Sequence, residues 1–125
     1  MKILLVDDSK TMRNIQRRSL EALGAVEFAE AGDGVEALAL IAANPAGFGL
    51  ILCDWNMPNL NGIAVVNSVR ATDKRTPIIM CTTEAEKGNI ITALKAGVNN
   101  YVIKPFTPEA LFEKVKLTLA KSAAA

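Results

Sequence analysis

Leu50-Ile51-Leu52-Cys53-Asp54-Trp55-Asn56-Met57-Pro58 decides the architecture. Four apolar residues in a row are short for a buried helix, and the carboxylate, amide and proline that follow close the run with turn chemistry. A strand apolar at every position, rather than at alternate ones, is covered on both faces. Four further short runs lie at residues 3–6, 26–29, 77–81 and 101–103, with Glu27 the one charged residue among them. Longer segments separate them, and their spacing predicts helices over residues 10–23, 34–43, 62–71, 85–96 and 108–121. Regular alternation of apolar strands and helices implies a parallel sheet with helices on both faces, an α/β doubly wound architecture.

Local signals support the helices. Met12, Ile15, Ala22 and Leu23 fall on one stripe of the first, and Gly24 and Gly97 stand where a C-terminal cap needs positive φ. Asp33 with Glu36 three residues on has the form of a capping box, and Thr107 before Pro108 is an N-cap followed by proline at the first helical position. The 125 residues suffice for one core, so residues 1–121 are expected to form a single domain and residues 122–125 a short tail.

Composition narrows the chemistry. Fourteen Lys and Arg against thirteen Asp and Glu give no global field for nucleic acid or a membrane surface. The apolar stretches are too short to span a bilayer and the first residues run directly into a strand, which points to the cytoplasm. Cys53 and Cys81 lie inside apolar runs without metal-ligand spacing, as reduced core thiols do. No histidine is present, so Ser-His and Cys-His pairs and histidine metal sites are excluded.

In open parallel sheets, ligands bind beyond the carboxyl ends of the strands. Asp7-Asp8 follow the first strand, Asp54 the third, Thr82-Thr83 the fourth and Lys104-Pro105 the fifth. Three carboxylates crowded at one edge repel unless a cation intervenes, and hard oxygen ligands suit Mg²⁺. Asp54 could then attack phosphorus while Lys104 and Thr82 hold the transferred oxygens. A flavin-binding module of similar topology fits poorly, because Asp7-Asp8 would repel a phosphate. An aspartate-nucleophile phosphatase needs a second acid two positions beyond the nucleophile, where this chain has Asn56. A metal-dependent small-molecule phosphatase nevertheless stays open as the rival of another class.

Leu4-Leu5-Val6-Asp7-Asp8, Asp54-Trp55-Asn56-Met57-Pro58, Cys81-Thr82-Thr83 and Tyr101-Val102-Ile103-Lys104-Pro105-Phe106 resemble the motifs of a response-regulator receiver domain, over essentially the whole chain. Trp55 and the Asn-Met-Pro after it are most similar to stand-alone chemotaxis regulators. The resemblance implies a flavodoxin-like five-stranded sheet of order 2-1-3-4-5. It implies phosphorylation at Asp54 by a CheA-like histidine kinase, with Asp8, Asp54 and the Asn56 carbonyl as direct Mg²⁺ ligands and Asp7 acting through water. Thr82 and Lys104 become phosphoryl-binding groups, Thr82 and Tyr101 a switch pair, and the Lys104-Pro105 peptide cis. The protein would be a signalling phosphoacceptor, catalysing only its own phosphorylation and dephosphorylation. It would act as a monomer on a downstream protein, such as a flagellar motor switch protein, with a phosphorelay intermediate or phosphate sink as the alternative.

On this pattern, Lys87, Lys95, Tyr101 and Lys114 would form a docking face for an acidic segment. Asn56 and Glu84 flank the acceptor and would tune dephosphorylation, while Lys10 would weaken Mg²⁺ binding by charge competition. Cys53 and Cys81 would lie side by side if their strands are neighbours, so that oxidation could jam the switch.

Overall fold

The computed structural model describes residues 1–124. Among these, five parallel strands form one sheet: β1 (Lys2–Val6), β2 (Glu27–Ala31), β3 (Leu50–Cys53), β4 (Ile78–Thr82) and β5 (Asn100–Ile103), in the order β2-β1-β3-β4-β5. Helices α1 (Lys10–Leu20), α2 (Gly34–Ala42), α3 (Gly62–Arg70), α4 (Lys87–Ala96) and α5 (Pro108–Ala124) alternate with them. The sequence of crossovers reverses at β1, which places a switch point between β1 and β3.

Because strand residues alternate faces, the sheet divides the core in two. Leu4, Val6, Ile51, Cys53, Ile78 and Met80 pack against Ala37 of α2, Val65, Val66 and Val69 of α3, and Ala93 of α4. Ile3, Leu5, Leu50, Leu52, Ile79 and Cys81 pack against Leu20 of α1 and Leu111 and Val115 of α5. Apart from Lys2 at the start of β1, the three central strands are buried throughout, as their continuous apolar runs require.

Several details depart from expectation. β2 runs two residues further than its apolar run, because an edge strand exposes one side and tolerates Glu27 and Glu30. The buried stripe of α1 is Gln16, Ser19 and Leu20, while Ile15 and Ala22 are exposed. Ser19 turns its hydroxyl back to the Ile15 carbonyl at 2.7 Å, which is how a polar side chain occupies that face. The helix ends earlier than expected, and residues Glu21–Leu23 form a 3₁₀ turn closed by Gly24 at φ 99°. Only half the capping box forms: Asp33 Oδ1 accepts from the Glu36 N–H at 2.8 Å, but Glu36 approaches the Gly32 N–H rather than that of Asp33. The fourth helix begins at Lys87, two residues late, and Glu86 makes no side-chain cap there. Residues 122–124 continue α5.

Cys53 and Cys81 do not lie side by side. Cys53 pairs in register with Met80, so Cys81 falls one residue further along and faces the opposite side of the sheet. A one-residue offset inverts the side chain, and the expected oxidative cross-link has no geometry to form.

Candidate phosphoacceptor site

At the carboxyl edge of the sheet, the loops after β1, β3, β4 and β5 bring together the residues expected there. Oxygen atoms of Asp7, Asp8 and Asp54 all lie within 4.8 Å of one another. Asp7 is 1% exposed and Asp54 8%, whereas Asp8 is open to solvent. Lys104 reaches between the buried pair, its Nζ donating to Asp7 Oδ2 at 2.6 Å and to Asp54 Oδ2 at 2.9 Å. The second oxygens are held by main-chain donors: the Ser9 N–H bonds Asp7 Oδ1 at 2.9 Å and the Trp55 N–H bonds Asp54 Oδ1 at 2.7 Å.

Burial, the largest influence, holds the Asp7 carboxyl above its ordinary value. The Lys104 and Ser9 bonds pull it down and the charge of Asp54 adds to the rise. Burial disfavours the Lys104 ammonium, yet its bonds to Asp7 and Asp54 outweigh that and raise its pKa. Two carboxylates sharing one ammonium, with a third beside them, leave negative charge that a hard divalent cation would satisfy. The all-oxygen donor set fits Mg²⁺, and the three acids form an acidic pocket able to hold a metal.

The loop after β3 is shaped by close approaches. Gly62 opens α3 against the Asp54 main chain, where a Cβ would run into the Asp54 carbonyl oxygen. Its N–H bonds the Trp55 carbonyl at 2.8 Å. Asn59 adopts φ 69°, and its side-chain amide donates to Asp33 Oδ2 at 2.7 Å, tying the loop to the start of α2. The Lys104-Pro105 peptide is cis.

Thr82 is fully buried, its hydroxyl accepting from the Glu84 N–H at 3.3 Å. Tyr101 is also buried, and its hydroxyl donates to the Glu84 carbonyl at 2.6 Å. Burial first, then the charges of Glu84 and Asp54, push the Tyr101 phenol up to about 12. The ring therefore does not offer itself to the surface in this state. Lys87, Lys95 and Lys114 are exposed, and Lys114 Nζ donates to the Tyr101 carbonyl at 3.2 Å. Asn56 and Glu84, expected to flank Asp54, are bonded to each other at 2.8 Å.

The five-stranded fold that carries these residues has relatives at the level of whole chains. Residues 3–116 match the response regulator receiver domain family. The chain is a response-regulator receiver domain. The receiver is 52% identical over 121 residues to chemotaxis protein CheY1 of Helicobacter pylori strain J99, covering 95% of this chain and 97% of the relative. It is 52% identical over 118 residues to a CheY homolog of Campylobacter jejuni, covering 93% and 90%. Among solved structures, the Vibrio cholerae chemotaxis protein CheY4 superposes with a TM-score of 0.83 at 37% identity, covering 94% and 97%. A CheY-like receiver from Methanospirillum hungatei gives 0.88 at 30%, covering 98% and 96%. The receiver is thus a two-component signalling protein of the CheY-like chemotaxis kind, for which a kinase phosphodonor and a downstream target are implied. Among its described residues no helix is long and apolar enough to cross a membrane.

A search of strand ends missed a group on the β2 side. Arg13 Nη1 donates to the Asp7 carbonyl at 2.6 Å while its Nε bonds Glu30, and Arg17 bonds the other Glu30 oxygen. Glu30, the penultimate residue of β2, lies beyond the apolar run and gave no signal in the sequence.

Proposed function

We propose that this receiver takes a phosphoryl group on Asp54 from a phosphohistidine of a CheA-like kinase, with Mg²⁺ held by Asp8, Asp54 and the Asn56 carbonyl and, through water, by Asp7. The observation that carries this is Lys104 bonded to both buried carboxylates beside an exposed third. Mg²⁺, when bound, supplies positive charge to the oxygens of the transferring group. An Asp54 oxygen forms the new O–P bond as the P–N bond breaks. The electron pair returns to the donor imidazole, which leaves neutral because its other ring nitrogen carries a proton in the phosphorylated donor. Lys104 neutralises charge on the transferred oxygens and orients Asp54, and Thr82 turns its hydroxyl toward the new acceptor.

Movement of Thr82 then biases the Tyr101 ring and the face built by α4, β5 and α5, to which a downstream protein of the flagellar motor-switch type docks. Asn56 and Glu84 govern the approach of the hydrolytic water. A general-acid role for Glu84, which would favour a phosphatase, is opposed by its two oxygens accepting from Asn56 and Asn89. The setting is the cytoplasm and the acting form a monomer.

Intact-mass analysis after incubation with a small-molecule phosphodonor and Mg²⁺ tests the proposal. One labile adduct, lost without metal and in Asp54→Asn, is expected. A folded protein that acquires none, or an Asp54→Asn variant that still does, would refute the assignment.

A further inference from the structure

Every polar atom of Asp7 has a partner. Its N–H bonds the Ala31 carbonyl at 3.1 Å, continuing the β1–β2 ladder one step beyond the strands. Its carboxylate oxygens take Ser9 and Lys104. Its carbonyl points to the same side as its N–H, as in any extended residue, and so toward β2. β2 ends at Ala31, and the chain turns away through Asp33 to cap α2. The next ladder N–H is replaced by a side chain: Arg13 Nη1, one turn into α1, at 2.6 Å.

That guanidinium is itself aimed. Arg13 Nε bonds Glu30 Oε1 at 2.8 Å, and Arg17 Nη2 bonds Glu30 Oε2 at 2.6 Å. The Arg13 side chain is 15% exposed, so the fork is held in a largely enclosed position between α1 and β2. A planar fork that bonds a carboxylate with one nitrogen and a carbonyl with another has one orientation, which an ammonium cannot reproduce. The peptide that carries the Asp7 carbonyl also carries the Asp8 N–H, and it is rigid and planar. Fixing one end fixes the plane from which the exposed Asp8 side chain projects.

We propose that Arg13, oriented by Glu30 and Arg17, is a positioning residue that sets the Asp7-Asp8 peptide so that Asp8 meets the metal. This rests on the Mg²⁺ site proposed above. A competing effect has the opposite sign: a cation near three carboxylates repels Mg²⁺, and removing it would tighten binding. Glu30 offsets that charge locally, so geometry is expected to dominate.

The test is Mg²⁺ titration of the unphosphorylated protein, followed by Trp55 fluorescence, for wild type, Arg13→Ala, Arg13→Lys and Glu30→Gln, with thermal unfolding measured beside it. Arg13→Ala and Arg13→Lys are expected to weaken Mg²⁺ binding by roughly tenfold, and Glu30→Gln by less, as loss of outer partners does. Tighter binding in Arg13→Ala with no change in Arg13→Lys would overturn the proposal in favour of charge competition. Lowered thermal stability with unchanged Mg²⁺ affinity would overturn it in favour of a structural role. If Arg13→Ala does not fold, Arg13→Lys, which keeps the charge but not the fork, decides: weaker Mg²⁺ binding supports positioning and unchanged binding overturns it. A wild-type protein that does not respond to Mg²⁺ would overturn the metal site and this inference with it, an outcome distinct from variants that bind as wild type does.

Discussion

Asn56 and Glu84 join the two loops beside Asp54: Asn56 Nδ2 donates to Glu84 Oε1 at 2.8 Å. Asn56 lies two residues beyond Asp54, and Glu84 two beyond Thr82, so the bond links the loop after β3 to the loop after β4. Glu84 is held on its other side by Asn89 of α4 at 3.1 Å, and its carbonyl takes the Tyr101 hydroxyl. One residue thus touches the Asp54 loop, α4 and Tyr101.

If this bridge narrows the approach of water to a phosphorylated Asp54, breaking it speeds hydrolysis. A net hydrogen bond is worth about 1 kcal/mol, or roughly fivefold in rate. Glu84→Ala is expected to shorten the phosphorylated lifetime by about that factor, and Asn89→Ala, which leaves the Asn56 bond intact, by less. Loss of the mass adduct after removal of the phosphodonor measures both. Identical decay in Glu84→Ala and wild type would rule the bridge out as a barrier.

Gly62 and Gly88 make opposite predictions for one substitution. A Cβ at Gly62 would collide with the Asp54 carbonyl oxygen, which is main chain and cannot step aside. Gly62→Ala is expected to cost about 2–3 kcal/mol and to displace the acceptor. Gly88, in the first turn of α4, has open space around it, and Gly88→Ala is expected to gain about 0.5 kcal/mol from helix propensity. Urea unfolding of the two variants against wild type checks the pair.

The strands were most legible where both faces are buried, since β1, β3 and β4 write their burial as unbroken apolar runs. The end of β2 was less legible because an edge strand is half solvated, and its Glu30 reads as a loop residue until Arg13 and Arg17 are seen beside it. α1 was misread because Gln16 and Ser19 take the inward positions that periodicity reserves for apolar residues. The convergence of Asp7, Asp8, Asp54 and Lys104 was legible because strand ends meet by topology. Arg13 was not, because it reaches Asp7 from a helix, through a contact that only the packing of α1 on the sheet creates.

The cysteines should be inert to one another. Burial, chiefly, raises both thiols, Cys81 to about 12, and they face opposite sides of the sheet. Thiolate is the reactive form, so alkylation of the native protein at pH 8 is expected to be slow at both and to become rapid in urea. Non-reducing peptide mapping after mild oxidation is expected to show no Cys53–Cys81 cross-link. A cross-link formed without unfolding would contradict the register of β3 and β4.

Asp73 gives the fold an acid-sensitive joint far from the acceptor. Burial alone would raise its carboxyl, but the Thr76 hydroxyl and the N–H groups of Arg75 and Thr76 outweigh that and lower it below its ordinary value of 3.8. A carboxylate whose pKa is lower folded than unfolded adds stability that is complete above the unfolded value and is lost as pH falls through the folded one. Wild type is therefore expected to lose an increment of stability below about pH 4 that Asp73→Asn, already lacking it, does not lose. The gap between them in urea unfolding should be widest from pH 5 to 7 and should close toward pH 2. A gap that stays constant across that range would show that Asp73 acts only through the loop shape, which an asparagine would then disturb equally at every pH.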